Sequence, residues 1–234
     1  MGLLVAAVFT TAVALCGLAL LLRQAECRRA VLLAFLAAVP LQPLAFYLVR
    51  MPFDANLRPL LGAGVLAAAL QLLYAPLTEE PAKWLTALAP IVRRAIMRRP
   101  VAVALATGLG FGIGEIWFLA GTLFVSPNYP DLPFYMFSGF FCERLEVCFL
   151  HGVFVLAPFL QIARGRPFWI GGLVGMAAHF ALNYPIYLAQ QDAFGLGRAR
   201  WQLALLLWSV AFVLIGALLA CRTARRFSPA LEPS

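Results

Sequence analysis

The sequence predicts an all-α membrane protein, a polytopic bundle of about seven transmembrane helices with a polar layer at mid-membrane. Three observations carry that prediction. Hydrophobic residues make up 63% of the chain and charged ones only 12%, too few to cover the surface of a soluble domain of 234 residues. The apolar residues fall into stretches near the roughly 20 residues that a helix needs to cross the hydrocarbon at about 1.5 Å per residue. Polar residues inside those stretches recur at a common depth.

The first stretch, 2–22, has no basic segment ahead of it and carries Arg23, Arg28 and Arg29 behind it, which predicts an uncleaved helix with its N-terminus outside. Ala6 stands where a myristoylation signal needs Ser or Thr. The second stretch is 30–49. The third, 60–92, is too long for one straight span, and Pro76 and Pro81 are expected to kink or break it where Glu79 and Glu80 lie. The fourth, 101–125, holds Gly108-Leu-Gly-Phe-Gly-Ile-Gly114. No strand precedes this run, so it is not a nucleotide loop; Gly108 with Gly112, and Gly110 with Gly114, are i,i+4 pairs that admit a neighbouring helix closely. The fifth, 137–162, begins with Glu143, Arg144 and Glu146 towards the outer surface, where a water-filled vestibule can hydrate them. The sixth, 168–189, places Gly171, Gly172 and Gly175 before His179, and the seventh is 201–221. Together they form one transmembrane domain, residues 1–226, with a core at about 60–190 and a short cytoplasmic tail at 227–234.

Charge sets the expected orientation. With the N-terminus outside, the inside segments carry twelve arginines (23, 28, 29, 93, 94, 98, 99, 164, 166, 222, 225 and 226) and the outside loops carry Arg50, Arg58, Arg198 and Arg200. This implies a multi-pass protein of the cell's inner (cytoplasmic) membrane with a cytoplasmic C-terminus. The net charge of +8 then reflects contact with the anionic face of a lipid bilayer, and nucleic acid is not expected as a partner, because the arginines are scattered among short loops. Cys16, Cys27, Cys142, Cys148 and Cys221 are odd in number and form no CxxC pair, so they read as small packing residues. Trp84, Trp117, Trp169 and Trp201 read as interfacial or packing aromatics.

The polar residues within the stretches point to chemistry. Counted from the inner end of each helix, Glu79, Glu80, Glu115, His151, His179 and Asn183 all lie roughly 16 to 23 Å deep. A lone His or Asn in a membrane helix is ordinarily a packing hydrogen bond. Six such residues from four helices in one layer are what a site in a bundle core requires. Charge at mid-bilayer costs roughly 2.5 to 3.5 kcal/mol per residue, so Glu79, Glu80 and Lys83 should be partnered and kept for a function. Glu79 and Lys83 share a helix face, as do His179 and Asn183, and Arg144 and His151. No HExxH, GxSxG or phosphate loop is present. A carboxylate removed from bulk water binds protons more avidly and suits a general base that activates water, while His and Asn N–H groups can hold the oxyanion of an attacked carbonyl. Alternatively His151, His179 and Glu80 bind a zinc ion with room for a catalytic water. Either reading leads to hydrolysis of a peptide bond inside the membrane.

Four segments also carry a family resemblance. Glu79-Glu80-Pro-Ala-Lys83 resembles an EExxK motif, Gly110-Phe-Gly-Ile-Gly-Glu115-Ile-Trp-Phe a glycine-rich GFxxxEN(I/L)xY segment, Glu143-Arg144 with His151 an ER…H helix, and His179-Phe-Ala-Leu-Asn183 an HxxxN helix, all of the PrsW family of bacterial intramembrane proteases. They occur in the family's order over residues 75–187. Ile116 stands where the family has Asn, the third motif has altered spacing, and Pro81 lies inside the first. Trp84 stands where the related CAAX prenyl proteases carry Arg, which favours PrsW among the members of that wider clan. The resemblance implies Glu79, Glu80, Glu115, His151, His179 and Asn183 as catalytic residues with Lys83 and Arg144 in support, and a single-span membrane protein, such as an anti-sigma factor, as substrate. The competing expectations are a non-catalytic scaffold of the same fold, a CAAX-type prenyl-protein protease, and a small transporter, the last without the inverted repeats such a protein shows.

Overall fold

The computed structural model describes residues 1–24, 26–61, 65–126 and 132–227, and among them it contains ten α-helices and no strand. Most of the expected outer loop at 127–131 and the tail beyond 227 lie outside the described residues.

α1 (Gly2–Gln24) is one uninterrupted apolar helix. The second apolar stretch is instead built from pieces. Pro40 and Pro43 each remove a backbone donor, so α2 (Arg28–Ala38) gives way to a short α3 (Leu41–Ala45) and a π turn (Phe46–Arg50), which runs on into α4 (Met51–Leu61). A π turn is wider than an α turn and rotates the side chains that follow it. Here it carries Arg50 towards α5.

The third stretch departs from expectation. α5 (Val65–Trp84) stays helical through Pro76 and Pro81, and the chain breaks only after the glutamates. Each proline removes one internal hydrogen bond, a cost that packing against α9 offsets. The break falls where three local signals coincide. Thr86 Oγ1 donates to the Lys83 carbonyl at 2.8 Å, a 3-10 turn (Leu85–Leu88) tightens the end, and Ala89 is extended (φ −68°, ψ 121°) because Pro90 excludes the helical region for the residue before it. Pro90 and Pro100 then open α6 (Pro90–Arg98) and α7 (Pro100–Phe124) at positions where a missing N–H costs nothing. α8 (Ser138–Ala163), α9 (Phe168–Gln190) and α10 (Arg198–Arg226) complete the bundle.

α7 is the centre, packed most extensively on α8 and α2 and then on α1, while α9 lies against α8 and α5. The glycine run explains how α7 serves two sides. A Cβ at Gly108 would collide with the backbone of Gly152, and one at Gly112 with Cys148, both on α8; Cβ atoms at Gly110 and Gly114 would strike the carbonyls of Phe35 and Val39 on the α2 side. The two i,i+4 pairs therefore seat two different neighbours. On α9, Gly171 and Gly175 meet the α8 backbone in the same way and Gly172 meets the ring of Trp84.

Among the described residues, five helical segments are long and apolar enough to cross a membrane: Gly2–Arg23, Arg28–Asn56, Pro100–Phe124, Phe134–Ala163 and Arg198–Arg226. Of the seven expected spans, the two outside this set are α5 and α9. The physical reason is their polar content: α5 carries Glu79, Glu80 and Lys83, and α9 carries His179 and Asn183. These two less apolar helices bear four of the candidate residues, and the apolar α7 and α8 bear Glu115 and His151.

Candidate active site

α5, α7, α8 and α9 bring five of the six candidate residues into one buried, connected cluster. At its middle is Lys83, wholly excluded from solvent. Its Nζ lies 2.6 Å from Glu80 Oε1 and 2.7 Å from His151 Nδ1, and sits 4.7 Å from the centre of the Phe111 ring. An ammonium only donates, so His151 Nδ1 must accept and its proton resides on Nε2. That N–H then donates to Glu115 Oε2 at 2.9 Å. Glu115 Oε1 pairs with Arg144 at 2.8 Å, and Arg144 pairs with Glu143 at 2.6 Å. On the other side, Glu80 Oε1 lies 2.7 Å from His179 Nδ1. The carboxylate only accepts, so Nδ1 holds the proton and Nε2 presents a lone pair.

That lone pair faces Glu79. His179 Nε2 is 3.9 Å from Glu79 Oε2, and the other Glu79 oxygen is 3.6 Å from an Arg50 nitrogen. Glu79 makes no closer polar contact among the described residues, whereas Glu80 and Glu115 are each bonded at 2.9 Å or less to a cation and a histidine. The three glutamates thus fall into two kinds: two are structural anchors, and one carboxylate stands beside a free imidazole nitrogen. The ring of His179 is fixed by stacking on Phe154, with centroids 5.3 Å apart and planes at 16°; a side chain at Gly175 would displace the Phe154 carbonyl beneath that stack.

Asn183, one turn beyond His179, is half-buried and its amide has no partner among the described residues. The expectation that Lys83 neutralises a glutamate is met by Glu80, at i,i+3, and not by Glu79. Glu143 is half-exposed beside Arg144. Four contacts went unforeseen. Arg50, read as an outer-loop charge, reaches Glu79. Phe111 and Phe154 hold the two imidazoles. Trp208 Nε1 on α10 donates to the Ala181 carbonyl at 3.1 Å. Pro185 lacks the N–H that would have bonded that carbonyl within α9, and this omission is a signal the sequence contained.

The set expected for zinc, His151, His179 and Glu80, does not fit that role as arranged. Glu79, His151 and His179 do have donor atoms within 4.8 Å of one another. Both nitrogens of His151 are already bonded, however, and the Lys83 ammonium at 2.7 Å would oppose a second cation there. Glu80 Oε1 is likewise committed, to Lys83 and His179, and the same ammonium opposes a cation beside this carboxylate. Compared with known protein families, curated proteins and solved structures, the chain matches none.

Proposed function

We propose that this chain is an intramembrane endopeptidase that hydrolyses a peptide bond of a single-span membrane protein with a water activated by Glu79. The observation that carries the reading is the pairing of an unbonded carboxylate with a free imidazole nitrogen 3.9 Å away, beside a network of paired charges. One water can touch both atoms. It donates one hydrogen to Glu79 and one to His179 Nε2, which turns its lone pair towards a third position where a scissile carbonyl is attacked. The O–H proton passes to Glu79 as the new C–O bond forms, and the Asn183 amide donates to the oxyanion. Glu79 then returns the proton to the leaving nitrogen as the C–N bond breaks. Glu80, Lys83, His151, Glu115 and Arg144 hold His179 and α5 in register, and no metal enters any step. The order of the four motifs over residues 75–187 supports the same reading through the PrsW resemblance.

The same proposal places all seven spans in an inner membrane, with α5 and α9 buried among the apolar helices, the N-terminus outside and the C-terminus cytoplasmic. A reporter joined after residue 234 is expected to be cytoplasmic and one within 126–135 external; an external C-terminus would overturn this topology.

The deciding experiment reconstitutes the protein in liposomes with a panel of single-span substrates and compares Glu79→Gln with Glu80→Gln. Glu79→Gln should lower hydrolysis by about two to four orders of magnitude at unchanged folded yield, because it keeps shape and loses the proton acceptor. Turnover near wild type in Glu79→Gln would favour a scaffold that uses the polar cluster to hold a partner helix. Treatment with a strong chelator, with metal removal checked by elemental analysis, should leave activity intact. Activity that vanished and returned only with zinc would defeat the glutamate mechanism.

A further inference from the structure

A second charged concavity lies away from this cluster. The first turn of α2 and the outer face of α6 border an open hollow of about 890 Å³ lined by the exposed Arg28, Arg29, Arg94 and Arg98 together with Ile91 and Met97. Among the described residues none of these four arginines has a carboxylate partner. Glu26, the one acidic residue in the wall, is paired with Arg99. Four guanidinium groups sharing one hollow repel one another unless an anion joins them. The start of α2 has no side-chain cap, so its first backbone N–H groups add to the same positive field.

The apolar surroundings define the anion further. α6 is amphipathic: Val92, Ala95 and Ile96 are buried, and the basic residues face outwards. From the cavity, α2 continues with Leu32, Leu33 and Leu36, which are 40%, 40% and 55% exposed, and Ile91 and Met97 of α6 are also open. A free phosphate would satisfy the arginines and leave this stripe bare. A phospholipid satisfies both, with its phosphate in the hollow and an acyl chain along the leucines.

We propose that the α2–α6 cavity is a binding site for an anionic phospholipid, with a phosphodiester headgroup held by Arg28, Arg29, Arg94 and Arg98. This inference is independent of the hydrolytic reading and needs only that the protein lies in a membrane.

The test uses the full chain in detergent and follows binding by native mass spectrometry, with thermal stability as a second readout. The ligands are dioctanoyl phosphatidylglycerol, dioctanoyl phosphatidylcholine and inorganic phosphate. Wild type is expected to bind phosphatidylglycerol at least about tenfold more tightly than phosphatidylcholine, and the pair Arg94→Gln/Arg98→Gln to weaken that binding by about tenfold or more. Arg28→Gln/Arg29→Gln is a second pair on the opposite wall and should do the same. Arg225→Gln/Arg226→Gln, which removes equal charge at the end of α10, should stay within about twofold of wild type. Equal loss in this control pair would mean diffuse surface attraction and overturn the site. Inorganic phosphate that competed as well as the lipid would make it an anion site and overturn the lipid assignment, and so would equal binding of the two lipids.

Discussion

α9 and α10 are adjacent in the chain and carry no charge through their middles, yet they are held in opposite ways. α9 buries Gly171, Gly172, Gly175 and His179, and two of those glycines rest on the α8 backbone. α10 buries only Trp201, Gly216 and Ala220 and turns Leu203, Leu206, Leu207, Val210, Leu214 and Leu218 outwards. Apolarity alone is enough to hold α10 in lipid. α9 carries His179, whose Nδ1 is bonded to Glu80 of α5, and its glycines let α8 and Trp84 of α5 come close. A helix with a bonded histidine is tied to its neighbours; a helix with no ionisable side chain in its middle turns its leucines outwards.

Breaking that tie at its charged end should have the largest effect. Lys83→Met leaves Glu80 buried without its cation and His151 without its donor, at a cost of about 3 to 5 kcal/mol, read as loss of folded protein or of thermal stability in detergent. Stability near wild type would mean that the network does not hold α5, α8 and α9 together. Next come the glycines. Gly171→Ala puts a methyl group against the backbone of Ala157 and Pro158 and should cost about 1 to 3 kcal/mol. Gly216→Ala on α10 meets only the side chains of Val153 and Phe149, which can move, so it should cost clearly less in the same melt. Equal losses at the two positions would erase the contrast between the helices. The smallest effect belongs to Trp208→Phe, which removes one inter-helix hydrogen bond worth about 0.6 kcal/mol.

Part of this architecture was legible from residues alone. The apolar stretches mark the all-helical build, and the glycine pairs of α7 mark a close helix approach, because composition and i,i+4 spacing are local properties; that the pairs seat two different neighbours was not legible. Depth counting gathers Glu79, Glu80, Glu115, His151, His179 and Asn183; of these, Glu80, Glu115, His151 and His179 are bonded to one another or through Lys83, and Glu79 and Asn183 are not. What was not legible depends on geometry between helices. Residues at i+3 and i+4 share a face equally well, so spacing could not assign Lys83 to Glu80; the position of His151, 68 residues later, decides it. Prolines drew the expected break to the glutamates, whereas the chain turns where Thr86 and Pro90 act together. Arg50 looked like a loop charge because nothing before it announces a π turn.

The sharing of charge between α5 and helices made later has a consequence for how the protein is made. When α5 leaves the ribosome it offers a membrane two carboxylates and an ammonium, and His151 and His179, which bond them, do not yet exist. In the proposed seven-span topology, at roughly 2.5 to 3.5 kcal/mol for each charge at the centre of a span, its insertion alone would be poorly favoured despite its apolar flanks. α5 therefore gains its full stability in lipid only after α8 and α9 have been translated. On that topology, biogenesis would include a waiting step, during which a half-made chain carries a helix whose charges are not yet paired.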